Sequence, residues 1–441
     1  MDIFRNFGKI RELTIKNSNF LPIKIYTSYA ISHAIDLSYN KPLSHGIRLA
    51  YLSLHIAEKL ELDKNSKLFL FFGSLFHDIA NIYILPQLYL WNKNHYDTWQ
   101  QFDNISFNTK NNLFIEKLQP EEKENWEQII NNGTKFAKKI ITELGISEKV
   151  WKIWEEFLSV RYLDKISNRE DIQIICLSEM VTGLLNFDHR NVTKATDWLR
   201  DNVNRYPILV VKKLIDLLED NNFLFDYIEG ALVNDILSLK PREEDDYTLN
   251  KDTISKLFLM IQANWSPFLC NHSKRVTSLV DKFAKEIYLN NKESDLLITS
   301  AKVHDIGKLC IPPDILLSTK KLQRKQIRII KRHPYYSQMI LNTIPGFEKI
   351  TQIAGTHHEY LDGSGYWQGL EKEKIGFNSE VLTIADIFEA LVSPRPYRKA
   401  YSLDKAINIM RKQYNNKLEQ QYLDFFIKNI FEKWYEENYC G

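Results

Sequence analysis

The chain has 441 residues, 44% hydrophobic and 26% charged, a composition that fits a soluble globular protein and excludes a disordered or fibrous one. That length exceeds one typical core, so two domains are expected. A net charge of +2 excludes a strongly basic polymer binder, and no DNA or RNA partner is expected.

Charge is unevenly spread. From residue 251 onward there are 28 Lys/Arg against 21 Asp/Glu, which marks the second half as the anion-binding half. Four cysteines (Cys176, Cys270, Cys310 and Cys440) show no paired spacing. This fits a reducing cytoplasm and speaks against a cysteine-held zinc. The greasiest run, Leu68 to Phe76, is too short for the ~20 residues of a membrane span and reads as a buried helix.

Residues 1–38 carry no motif. His45-Gly46-Ile47-Arg48 opens a helical pattern through Leu49, Leu52, Ile56 and Leu60, and Leu68 to Phe76 leads into His77-Asp78. Residues 81–130 read as an insertion of loops and short helices. Helices are expected over 135–160, 171–187, 192–202 and 206–220. The charged stretch Lys240 to Asp246 marks a linker, taken as 241–250. His33, His55, His95 and His189 fit no ligand spacing and read as ordinary surface or packing residues.

The second half repeats the opening grammar. His272-Ser273-Lys274-Arg275 starts a helix with Val276, Leu279, Val280 and Phe283 on one face, and a second apolar helix reaches His304-Asp305-Ile306-Gly307-Lys308. His45 to His77 and His272 to His304 both span 32 residues, which suggests an internal duplication. In the first copy Ala80-Asn81 replaces Gly-Lys and no His-His pair follows. Arg161 to Asp164 aligns loosely with the later His-His-Glu segment, and Glu179 with a late Asp. A helix over Lys321–His333 would point His333 to the core, with a new helix from Tyr335 to Leu341. Lys320, Lys321, Arg324, Lys325, Arg328, Lys331 and Arg332 would form a positive rim. Then come His357-His358-Glu359, Asp362-Gly363-Ser364-Gly365-Tyr366, Asp386 and Ser393-Pro394-Arg395-Pro396-Tyr397. Strand-like alternation is scarce, so the fold is expected to be all-α. Imidazole with carboxylate suits borderline first-row metals.

The order of these residues, from His272 through Asp386, resembles the HD superfamily of metal-dependent phosphohydrolases. The segment from His357 to Tyr366 narrows the resemblance to the HD-GYP family, whose characterised members are mostly cyclic-di-GMP phosphodiesterases. The resemblance implies tandem HD-type helical bundles: a degenerate regulatory or dimerisation domain over 1–240, and an HD-GYP domain over 251–441. It implies two divalent ions, Fe or Mn first, with Zn and Ni also suited to the ligands. His272, His304, Asp305 and Asp386 would hold one ion. His333, His357 and His358 would hold the other, with Asp305 bridging and a metal-bridged hydroxide attacking the phosphodiester. Lys308 would stabilise phosphate charge, and Gly365, Tyr366, Arg395 and Arg398 would contact substrate. The implied reaction is cyclic-di-GMP to pGpG, or on to GMP. The alternatives are cyclic GMP-AMP or another nucleotide as substrate, or a slow cyclic-di-GMP receptor.

Three departures stand out. Gly365-Tyr366-Trp367 lacks the family's proline, Ser318-Thr319-Lys320 replaces Lys-Pro-Gly, and Phe268 stands where some members carry a glutamate for a third metal.

Overall fold

The computed structural model describes residues 23–38, 45–91, 117–163, 167–186, 188–229, 232, 236, 249–395 and 398–439. They fall into two compact units, one ending at Thr248 and the other beginning at Leu249. Most of the linker expected at 241–250 lies outside the described residues, as do His95, Asp164, Pro396, Tyr397 and Cys440. The architecture is all-α: among the described residues the only β features are two isolated bridges, Asp362 with Glu371 and Arg395 with Arg398.

The first unit holds α1 (Ile23–Ser38), α2 (His45–Lys59), α3 (Lys64–Leu75), α4 (Asn81–Trp91), α5 (Pro120–Glu143), α6 (Glu148–Leu163) and α7 (Glu170–Leu185). After them come α8 (Val192–Asp201), α9 (Ile208–Glu219) and α10 (Asn221–Glu229). Asp63 starts α3 by accepting the backbone N–H groups of Asn65 and Ser66. The single helix expected over 135–160 is two helices. Gly145 takes a left-handed φ of +67° that ends α5, because glycine carries no Cβ to oppose it. The region expected as loops and short helices contains α4 and the start of α5, a 24-residue helix with Pro120 in its first turn and Glu122 closing a capping box. Residues 92–116 of that region are outside the described set.

The second unit holds α11 (Lys251–Trp265), α12 (Pro267–Glu286), α13 (Asn291–Val303), α14 (Arg324–Ile330), α15 (His333–Leu341) and α16 (Glu348–Thr356). The chain then continues through α17 (Phe377–Val392), α18 (Leu403–Gln413), α19 (Gln420–Phe426) and α20 (Glu432–Tyr439). The apolar stripe of α12, with Val276, Leu279, Val280 and Phe283, packs on Val381, Leu382, Ala385 and Phe388 of α17. Phe426, Phe431 and Trp434 close that core from the C-terminal side.

One expected helix breaks. The run over Lys321–His333 ends at Ile330, and His333 opens α15. Pro334 causes this. It has no N–H to give the Ile330 carbonyl, and its ring would clash there in a continuous helix. The His333 Nδ1–H takes that carbonyl instead, at 2.8 Å.

Candidate metal centre

Three of the cage histidines stand where a helix ends. His304 follows α13, His357 follows α16 and His333 follows α14. Helix C-termini leave carbonyls without an intrahelical donor. Each ring uses one: His304 Nδ1 donates to Ala301 (2.8 Å), His333 Nδ1 to Ile330 (2.8 Å) and His357 Nδ1 to Ala354 (2.6 Å). A carbonyl can only accept, so the proton sits on Nδ1 and the Nε2 lone pair is left for the cage. His272, inside α12, reaches the same end differently, by donating Nδ1–H to Glu389 of α17.

These Nε2 atoms converge on two carboxylates. Asp305 Oδ2 lies 3.4 Å from His272 Nε2 and 3.4 Å from His304 Nε2. Its Oδ1 lies 3.2 Å from His333 Nε2 and 3.8 Å from His357 Nε2. Asp386 faces His272 Nε2 at 3.0 Å and His358 Nδ1 at 3.7 Å. The donor atoms of His272, His304 and Asp386 form one mutually close group, and those of His333, His357 and His358 form another. Asp305 thus turns one oxygen to each side.

The residues fit metal ions. His272 Nε2, His304 Nε2 and Asp305 Oδ1 are buried polar atoms without a hydrogen bond. Such atoms cost free energy unless a cation takes them up. Burial pushes His333 down and His357 well down, and it pushes His358 to about 3, so all three present neutral imidazoles. Burial would raise Asp305 and Asp386. Lys308 and the neighbouring imidazoles outweigh it at Asp305, as His272 does at Asp386, and both stay well below the usual carboxylate range. Burial also opposes charge on His272, but Glu389 and the two aspartates raise it to about 10. A surround that attracts a proton so strongly also attracts a metal cation.

The supporting shell contains residues to which sequence reasoning gave no role. Glu389 is buried and accepts from His272, from Arg275 (2.6 Å) and from Ser393. Its only sequence signal is its place one helical turn after Asp386. Glu359 is also buried, and its carboxylate accepts the backbone N–H of Gln368 (2.7 Å) and of Leu370 (2.9 Å). It thereby pins the glycine-rich loop. Ser337 accepts from Gly307 N–H (2.9 Å) and donates to the His304 carbonyl (2.6 Å).

The expected substrate contacts divide. Lys308 Nζ donates to Asp305 Oδ2 at 2.5 Å. Tyr366 stacks on His358, and Lys331 Nζ lies 4.7 Å from the Tyr366 ring centre. Gly365 is packed so closely that a Cβ there would lie 2.5 Å from Glu359 Cα. Arg395 lies over the Phe268 ring at 4.8 Å, with Glu389 at 3.5 Å. Arg398 does something different from the role expected of it. Its guanidinium donates to the carbonyls of Ala390 (2.6 Å), Leu391 (3.2 Å) and Lys399 (2.8 Å), tying the end of α17. Of the expected rim, Lys320, Lys321, Arg324, Lys325, Arg328, Lys331 and Arg332 are all exposed.

Comparisons with known proteins agree with this geometry. A family model described as an HD domain matches residues 256–421. The 3'3'-cGAMP-specific phosphodiesterase 3 of Vibrio cholerae is 26% identical over 427 residues, 89% of this chain and 91% of that protein. The 3'3'-cGAMP-specific phosphodiesterase 1 of the same organism is 39% identical over 37% of this chain and 38% of its own length. The cyclic di-GMP phosphodiesterase response regulator RpfG of Xanthomonas campestris is 31% identical over 43% of this chain and 50% of its own length. A crystal structure of a cyclic GMP-AMP specific phosphodiesterase from V. cholerae superposes with a TM-score of 0.59 at 21% identity, covering 91% of this chain and 96% of that one, a likeness of fold. The C-terminal unit of this chain thus carries an HD domain over residues 256–421, and its cage residues stand in the order that resembles the HD-GYP proteins.

Proposed function

We propose that this protein is a metal-dependent phosphodiesterase that hydrolyses a cyclic dinucleotide. The observation that carries the reading is the buried pair of donor groups joined by Asp305, whose two oxygens face opposite sides of one cage. Divalent ions held there, by His272, His304, Asp305 and Asp386 on one side and by His333, His357 and His358 on the other, would supply Lewis acidity and an acidified water. The chain's own residues do the rest. Glu389 and the helix-end carbonyls engage Nδ1 of His272, His304, His333 and His357 and so turn each Nε2 to the cage. Lys308 has its ammonium beside Asp305, where it can shift onto a phosphate oxygen as charge grows there. Tyr366 and the exposed basic residues around Lys331 offer a ring face and positive charge to a purine dinucleotide dianion.

Cyclic-di-GMP is the substrate that the motif order suggests. A second reading, 3'3'-cGAMP, is supported by the relative that aligns over most of this chain, which is named for that substrate. Trp367, where the family has proline, follows Tyr366 and packs edge-on against Tyr335 at 4.8 Å. The test is product analysis on anaerobically purified protein reconstituted with Fe(II) or Mn(II). Both dinucleotides are supplied separately and together, with His304→Ala/Asp305→Ala as control. Linear dinucleotide that disappears in the control supports the phosphodiesterase, and the faster substrate in competition identifies the specificity. Binding without turnover in metal-replete protein would replace the reading with that of a receptor.

A further inference from the structure

The first unit contains a second cage. His45, at the start of α2, His77, in the turn after α3, and Glu179, on α7, bring their donor atoms within 4.8 Å of one another. The His45 and His77 ring centres are 5.2 Å apart, against 5.5 Å for His272 and His304. His77 donates Nδ1–H to the Ser74 carbonyl at 2.8 Å, three residues back at a helix end, as His304 does to Ala301. Its Nε2 is thereby turned to Asp78 Oδ2 at 3.2 Å and to Glu179 Oε1 at 4.0 Å. Asp78 divides its oxygens as Asp305 does. Oδ2 faces the imidazole, and Oδ1 faces the other side. On that other side, where the C-terminal cage has three histidines, stands the buried Arg161 guanidinium. It bonds Asp78 Oδ1 at 2.5 Å and both oxygens of Glu179.

We propose that the first unit is a one-metal centre: a divalent ion on His45, His77, Asp78 and Glu179, with Arg161 in the place of the second ion. The ligand class is a borderline first-row metal, since the donors are two imidazoles and two carboxylates. Arg161 does not forbid the ion. One divalent ion beside Asp78, Glu179 and Arg161 leaves less excess positive charge than two ions beside Asp305, Asp386 and Lys308. A guanidinium bound to ligating carboxylates orients them as an outer shell does. The centre is structural. Asn81 replaces the lysine that follows His-Asp in the second unit, and it is engaged by Asp78 (3.0 Å) and the Tyr162 hydroxyl (2.9 Å). His45, His77, Asp78 and Arg161 are all buried.

The experiment counts metal per full-length chain after reconstitution with Mn(II) and, separately, Zn(II), by mass spectrometry of desalted protein. The wild type is compared with His77→Ala, with Glu179→Gln, and with a chain whose C-terminal cage is disabled by Asp305→Ala/His357→Ala/His272→Ala. Expected are one ion fewer in His77→Ala and Glu179→Gln than in wild type, and one ion retained in the disabled chain. That retained ion should raise the thermal midpoint of the disabled chain, a shift lost on adding His77→Ala. If a first-unit variant misfolds, the disabled chain still decides. No retained ion with either metal overturns the proposal, and two retained ions overturn the role given to Arg161.

Discussion

Glu389 is the residue on which the geometry of His272 depends. It fixes the proton on Nδ1 and is itself held by Arg275 and Ser393. Outer-shell acceptors of this kind contribute roughly 10–100-fold to metal affinity. Glu389→Gln should therefore weaken metal retention by about that factor, read by competition with a chromophoric chelator. Unchanged retention would show that the pair only packs. Glu380 gives a pH prediction. It is half-buried on α17, one oxygen has no hydrogen bond, and burial and the Glu419 charge raise its pKa to about 7. The native state therefore keeps a proton that the unfolded chain has lost above about pH 4.5. Stability from this group is present at low pH and declines as pH rises towards 7. Relative to wild type, Glu380→Gln should gain stability over that window and hold the gain above it. Solvent screening limits the gain to about 1 kcal/mol. Urea titrations of both proteins at pH 4.5, 6 and 8 measure it, and a gain equal at all three would contradict the assignment.

At the scale of elements, the cage is made by the ends of α13, α14 and α16 brought against the middles of α12 and α17, and the loops between them must pass very close. Gly365 lies against the backbone of Glu359 and His358, where an added Cβ would come within 2.7 Å of the His358 carbonyl. Backbone cannot yield there as a flexible side chain could. Gly365→Ala should displace the loop that Glu359 pins and lower kcat/KM at least tenfold while leaving metal content intact. Steady-state kinetics beside metal analysis separates the two, and coincident loss of metal would mean that the loop also shapes the cage. The terminal helices have a simpler duty. Trp434 of α20 is fully buried against Phe388 of α17. Trp434→Ala should destabilise the second unit by roughly 3–5 kcal/mol, measured by chemical denaturation.

For the whole molecule, each unit carries its own core and its own cage, so metal and stability are linked. An ion that binds only the folded form adds about 2.7 kcal/mol at a hundredfold excess over its Kd. Stripping the reconstituted protein with chelator should lower the unfolding midpoint by roughly 5–10 °C for a unit of this size. An unmoved midpoint in scanning calorimetry would mean that the cages are rigid without ions. No helix among the described residues is long and apolar enough to cross a membrane.

The amino-acid order alone pointed to the all-α class and to the repeat of His…His-Asp in two halves, and the family resemblance it carries picked out the side chains that the fold brings together in the C-terminal cage. Those features are local: helical periodicity, and ligands whose identity is their chemistry. Boundaries set by competition were less legible. Pro334 breaks the helix that would have carried His333, and Gly145 splits one expected helix into α5 and α6. Only the tertiary structure decided the roles of Glu389, Arg398 and Arg161. A glutamate three residues after Asp386, or an arginine 83 residues from Asp78, is silent in sequence. What a charge does depends on which opposite charge the fold buries against it, and that pairing is made across the chain.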